Sequence, residues 1–162
     1  MTHALHDPIR HNSWANIHLL EFCQRLDEQT LNATVPGTYG TITATLRHII
    51  FCEIDSLERL LGQAPSDPWH TEKRTGLGVL LTHAARMATD WERFLSSNVD
   101  SEHLLPPDEG DTPVPAGVVI AVVIYHGSEH RGQVCTILSA LGHEPPDLTP
   151  WAYAFASGRI RV

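Results

Sequence analysis

Two histidines, His126 and His130, stand four residues apart in the stretch Val119 to Leu141, in the same helical stripe as Val119, Val123, Ile137 and Leu141. Side chains four apart lie one turn apart on a single helix face, so both imidazoles can point at one centre from rigid backbone. The apolar residues of the stripe predict burial, and two imidazoles buried without partners would cost free energy. A cation held between them removes that cost, and neutral imidazole is a common metal ligand. The chemistry these residues suggest is therefore transition-metal binding. A histidine pair at this spacing is frequent in helices, and a third ligand would strengthen the case greatly.

The chain has eleven histidines, and periodicity does not choose the third ligand among them. His48 lies far around its helix from Leu46. Its neighbours Ile49, Ile50, Phe51 and Cys52 are apolar almost all round, which predicts burial on more than one face and permits His48 as a ligand. His83, amid Leu80 and Met87, is a reserve ligand. His3, His6, His11, His18, His70, His103 and His143 fall near ends, loops or polar faces and take no assigned role.

Glu129 turns the pair into an HxxEH pattern, in which two histidines bind zinc and the glutamate serves as general base. That peptidase reading needs an acidic third ligand well downstream, where only Glu144 and Asp147 follow, in a proline-rich turn. Glu129 and Tyr125 are the catalytic candidates: a carboxylate beside a metal can take a proton from bound water, and the tyrosine hydroxyl could approach the pocket. The plainer roles are solvent exposure or orientation of a ligand histidine for Glu129, and packing for Tyr125. Gly127 and Gly132 read as residues that permit close helix approach, and Gln133 as a hydrogen-bonding partner within the bundle.

Four amphipathic helices can position these groups. Asp7 and Pro8 read as an N-cap and first helical position, with Ala15, Leu19, Phe22 and Leu26 recurring behind them, so the first helix is expected from Pro8 to Gln29. After a loop at 34–40, Thr41 can cap a second helix with Leu46, Ile50, Leu57 and Leu60 on its stripe, ended by Gly62. A connector with Pro65, Ser66, Asp67, Pro68 and Trp69 leads to a third helix carrying Leu77, Leu80, Leu81, Ala84, Ala88, Trp91 and Leu95, which stops near Ser97. The segment from Glu102 to Pro115, acidic and proline-rich, reads as loop. The fourth helix follows from Ala116 to Gly142; a buried strand near its start is the alternative for its Val and Ile residues. In the tail, Trp151, Tyr153 and Phe155 are expected to pack over the bundle as one short turn.

At 162 residues the chain suits one domain, taken as 1–162. Its formal charge of −8, with eleven scattered Lys and Arg, argues against nucleic acid as a partner. The start, Met1 to Asp7, lacks a secretory pattern, and the longest apolar run, Ala116 to Tyr125, is too short to span a bilayer, so no membrane association and a cytoplasmic location are expected. Cys23, Cys52 and Cys135 are widely spaced within apolar patterns and read as reduced packing residues, with Cys52 one turn beyond His48. The acidic run Asp108 to Asp111 lacks the spacing of a calcium loop and reads as solvated.

The residues HGSEHRGQVCTILSALGHEPPDLTPWAYA at 126–154 resemble the last helix and tail of DinB-like proteins. NSWANIHLLE at 12–21, VPGTYGTI at 35–42 and TLRHIIFCEIDSLERLLG at 45–62 resemble that family's first helix, loop and second helix, and HRGQ is the most specific element. The resemblance implies an all-α four-helix bundle in up-down-down-up order, often a homodimer, with one divalent metal held by three histidines. The ligand pattern falls on His48, His126 and His130. The family motif often shows a further histidine just before the last ligand, where this chain has Glu129.

Three neutral imidazoles suit zinc or nickel, and iron as well, and leave coordination positions open. Related family members are thiol transferases that use low-molecular-weight thiols such as bacillithiol or mycothiol. The expectation is therefore a metal-dependent thiol S-transferase or hydrolase-like enzyme acting on a small molecule. The alternatives are a metal-binding or ligand-binding module without turnover, and a dimer whose metal only stabilises the fold.

Overall fold

The structure, a computed structural model, describes residues 4–64, 76–97, 100–107 and 112–161. His3, the connector residues Pro65, Ser66, Asp67, Pro68 and Trp69, His70, and the acidic run at 108–111 lie outside the described residues. The described chain is mainly helical. In order it runs α1 (His6–Cys23), α2 (Glu28–Leu31), α3 (Ile42–Leu60), α4 (Leu77–Ser96), β1 (Leu104–Leu105), β2 (Val114–Pro115), α5 (Ala116–Ala140) and α6 (Pro150–Ala156). Helix α1 packs chiefly on α4 and α3 chiefly on α5, while α3–α4 and α1–α5 contacts complete a bundle.

Both ends of the first helix differ from expectation. Asp7 is not the N-cap: the helix starts at His6 after Leu5, and Asp7 and Pro8 sit within the first turn, where the missing proline N–H leaves no helical bond unmade. The Asp7 carboxylate instead accepts a hydrogen bond from Arg159 in the tail. Nor does the helix continue to Gln29. It ends at Cys23, and Asp27, extended at ψ 163, caps the separate turn α2 by accepting the Thr30 N–H at 2.7 Å. An aspartate able to bond the backbone two or three residues on competes with helix continuation, and here the cap wins.

Thr41 caps α3 as expected, its hydroxyl accepting the Ala44 N–H at 3.1 Å. The Val and Ile residues at the start of α5 are helical, so the strand alternative fails. The 102–115 segment is more than loop, because Leu104–Leu105 pairs antiparallel with Val114–Pro115. Two residues are too few for a periodic signal. Their pairing serves to bury Leu105 against Ala116 and Val119. In the tail, Thr149 caps α6 and only Tyr153 is buried; Trp151 and Phe155 are exposed. Leu141, expected on the buried line of α5, is 46% exposed because it stands at the helix C-cap, past the bundle.

Besides the small cluster at Leu105, the interior holds two larger apolar clusters. One gathers Leu19, Leu20, Leu46, Ile50, Phe51, Leu80, Val134 and Ile137; the other Ile9, Leu57, Met87, Trp91, Ile120 and Val123. On α1, α3 and α5 alike, the residues between the clusters in sequence include buried polar groups: Asn12 and Asn16, Glu53, and Arg131. The Glu53 carboxylate accepts from Trp91 Nε1 and Asn16 Nδ2, both at 2.7 Å, and from Asn12 Nδ2 at 3.2 Å. Arg131 Nη1 donates to the oxygens of both asparagines, at 2.8 and 2.7 Å. A polar layer thus ties four helices together, with Trp91 joining from α4 and each buried residue holding at least one partner.

Candidate metal centre

The layer's neighbours on α3 and α5 carry the histidines. His48, on α3, and His126 and His130, one turn apart on α5, meet where these two helices pack, and one ring nitrogen from each lies within 4.8 Å of the other two. His48 Nε2 and His126 Nε2 are 2.9 Å apart. Ring centroids are separated by 4.7 Å for His48 and His126, 4.8 Å for His48 and His130, and 4.5 Å for His126 and His130. Two nitrogens each about 2.1 Å from one ion, at angles of about 90–110°, stand about 3.0–3.4 Å apart, so the His48–His126 separation is close to that of a shared cation.

His48 belongs to the set because α3 is buried on more than its Leu46 side: Ile49, Ile50 and Phe51 are all in the core. His83, the reserve ligand, lies against Phe51 with ring centroids 6.2 Å apart and is outside the three-histidine group. Glu129 is exposed on α5, and Tyr125 is 68% exposed. Glu144 and Asp147 also lie outside the group, so no acidic third ligand supports the HxxEH peptidase reading among the described residues.

Gln133, one turn beyond Glu129, orients the site. The Tyr39 N–H donates to Gln133 Oε1 at 2.8 Å, so the amide oxygen must face that point. His130 Nδ1 is 3.2 Å from the same oxygen and can only donate to it. With the proton held on Nδ1, Nε2 is left with its lone pair as the ligand atom, the arrangement that metal-bound histidines generally show. Tyr39 itself stacks on His48, centroids 4.1 Å apart and planes at 10°, and meets His130 edge-on at 5.2 Å. Gly37, at φ 88°, provides the left-handed turn that brings this loop back over the site.

Burial pushes the His126 imidazolium down to about 4, with His130 and His48 adding repulsion and Glu129 partly opposing it. His48 is lowered by the same two causes, burial first and then His130. Both rings are therefore neutral near pH 7, the form that binds metals. Cys52 Sγ lies 3.5 Å from His48 Nδ1, and burial pushes its thiol up to about 11, so it stays protonated. A cavity of about 210 Å³ opens beside His126, lined in part by Ile49, Cys52, Asp55, Ser56 and Val122.

Sequence reasoning missed Tyr39 and the polar layer. Tyr39 sits in a loop without period, so only the fold brings it to the histidines. Asn12, Asn16 and Glu53 did carry a signal: each interrupts an apolar helical stripe, with Ala15 and Leu19 beside the asparagines and Ile49, Ile50 and Leu57 beside the glutamate.

A helical bundle with three imidazoles converging between two packed helices defines a class of all-α proteins with a candidate metal centre in the bundle interior. The DinB family model matches residues 1–159, and the chain belongs to the DinB family. No curated protein matches the chain.

Proposed function

We propose that His48, His126 and His130 hold one divalent transition metal, zinc or nickel before iron, and that the protein is a metal-dependent enzyme acting on a small molecule. The observation that carries this reading is the convergence of three imidazoles, one with its tautomer set by Gln133, beside a cavity. Three protein ligands leave at least one coordination position for substrate or water. A cation held there supplies Lewis acidity that lowers the pKa of a water or thiol next to it toward neutrality.

Within that class the reading is thiol S-transfer, with a low-molecular-weight thiol as cosubstrate, and hydrolysis as its close variant. The thiol sulfur forms a bond to an electrophilic carbon, the bond from that carbon to its leaving group breaks, and the thiol proton leaves with that group or passes to solvent. The chain's own residues do the positioning. Gln133 holds His130, Tyr39 walls the open side of His48, and the lining from Ile49 to Val122 offers a mainly apolar recess for the body of the substrate. Homodimerisation, as in other bundles of this kind, belongs to the same proposal.

Metal analysis of tag-free protein tests the site first: one metal per chain is expected, with uptake lost in His130→Ala. Thiol-dependent loss of an electrophile such as 1-chloro-2,4-dinitrobenzene, by metal-loaded protein and not by His130→Ala, tests the chemistry. Metal uptake without any thiol or hydrolytic turnover across several thiols and esters would leave a metal-binding module and refute the enzyme.

A further inference from the structure

A second cavity, of about 460 Å³, lies among α1, α5 and α6, and no residue of the three-histidine group lines it. Its lining includes Asp7, His11, Ser128, Arg131, Tyr153 and Arg159. The α5 residues Ile124, Ser128 and Arg131 are about half a turn around the helix from His126 and His130, so the two sites use opposite faces of one helix. The volume is in the range of small-molecule pockets.

Arg131 gives the cavity its chemistry. It is 4% exposed, and its Nη1 is occupied by Asn12 and Asn16. Among the described residues no acceptor is within hydrogen-bond reach of its Nε or Nη2, and neither atom is among the sealed, partnerless polar atoms of the interior. Arg131 is among the residues that line the cavity. Nε and Nη2 form the side-on edge of the guanidinium, which matches a carboxylate with two parallel bonds. The same chain shows that edge in use, since Arg10 clasps Glu92 through Nε at 2.6 Å and Nη2 at 2.7 Å.

The other charges do not fill that place. Asp7, the carboxylate of the lining, gives Oδ2 to Arg159 while its Oδ1 is buried without a partner, and Glu53 is linked to Arg131 by hydrogen bonds only through the two asparagines. Tyr153 and His11 meet edge-on at 5.9 Å, and with Ile124 and Pro150 they give the cavity a largely apolar side. We propose that this cavity binds a small organic carboxylate, clasped side-on by Arg131 with its planar or apolar body against Tyr153 and Ile124. The site is independent of the proposed metal centre.

Calorimetric titration of the full, metal-free chain with benzoate, benzamide and inorganic phosphate tests this. Benzoate is expected to bind once per chain, at least about tenfold tighter than benzamide or phosphate. Ala154→Phe fills the cavity from α6 without touching the polar layer and is expected to weaken benzoate at least about tenfold, with circular dichroism unchanged. Ser128→Phe does the same from α5 and serves if the first variant misfolds. Absence of saturable benzoate binding, equal binding of benzamide, tighter binding of phosphate, or benzoate binding unchanged in a folded cavity-filling variant would each overturn the proposal.

Discussion

Gln133 illustrates how much one uncharged side chain can decide at a candidate metal site. A single amide oxygen receives the Tyr39 N–H and the His130 Nδ1–H, so it sets both the loop that covers His48 and the tautomer of His130. Losing such a partner typically weakens metal binding by about 10–100-fold without removing a ligand. Gln133→Ala is therefore expected to retain one metal per chain when saturated, but with affinity reduced by about that factor in a chelator competition assay. Unchanged affinity would show that the tautomer is set elsewhere. At this scale His126 and His130 were legible from their spacing alone, His48 was permitted by its apolar surroundings and pointed to by family resemblance, and Tyr39 was invisible.

Helix α5 works on two faces, and the glycine between them shows why. A Cβ built on Gly127 would lie 2.5 Å from Asn12 Oδ1 and 2.8 Å from Arg131 Nη1, inside the polar layer. Asn12 and Arg131 are both buried and hydrogen-bonded to each other, and Asn12 also to Glu53, so the layer has little room to yield. Gly127→Ala should thus cost about 1–3 kcal/mol by overpacking, although alanine is the better helix former by about 1 kcal/mol. Urea denaturation gives the sign directly. Gly132, which the sequence placed in the same role, meets nothing within 4 Å and has no such constraint. Helix existence and the caps at Thr41 and Gly62 could be read from residue types. The end of α1 could not, because the pattern Leu19, Phe22, Leu26 runs on through the break that Asp27 imposes.

For the whole molecule, the polar layer between two apolar clusters is what holds the bundle's register. Burial pushes the Glu53 carboxyl up and brings Arg131 down to about 10, so both groups pay a desolvation cost, offset for Glu53 first by the Trp91 hydrogen bond and for both by their mutual attraction. Removing one member leaves the others buried without partners, which for ionic networks costs about 3–5 kcal/mol. Glu53→Leu is expected to fall in that range, and the double variant Glu53→Leu with Arg131→Met to lose less than the sum of the singles, as a double-mutant cycle in urea would show. Nearer the surface, Arg10 on α1 clasps Glu92 on α4 and holds its carboxyl below the ordinary value of 4.5. A carboxyl depressed in the folded state contributes stability that is present above its unfolded pKa and lost as pH falls through the folded one. Both side chains are partly exposed, so the pair contributes only about 0.2–1 kcal/mol. Unfolding free energies from urea for wild type and Glu92→Gln should differ by that much at pH 7 and converge as pH falls through the depressed Glu92 pKa.

The sequence by itself determined the helices and the α5 histidine pair, since period, caps and i, i+4 spacing are local properties that a chain carries before it folds. The polar residues set in its apolar stripes carried a signal of the central layer that the sequence reading did not use. Tertiary structure alone decided that α3 delivers His48 to that pair, that Tyr39 closes over it, and that the second face of α5 joins α1 and α6 around Arg131. Those arrangements depend on which helix faces meet, and that is settled by the combined burial of all of them rather than by any one segment.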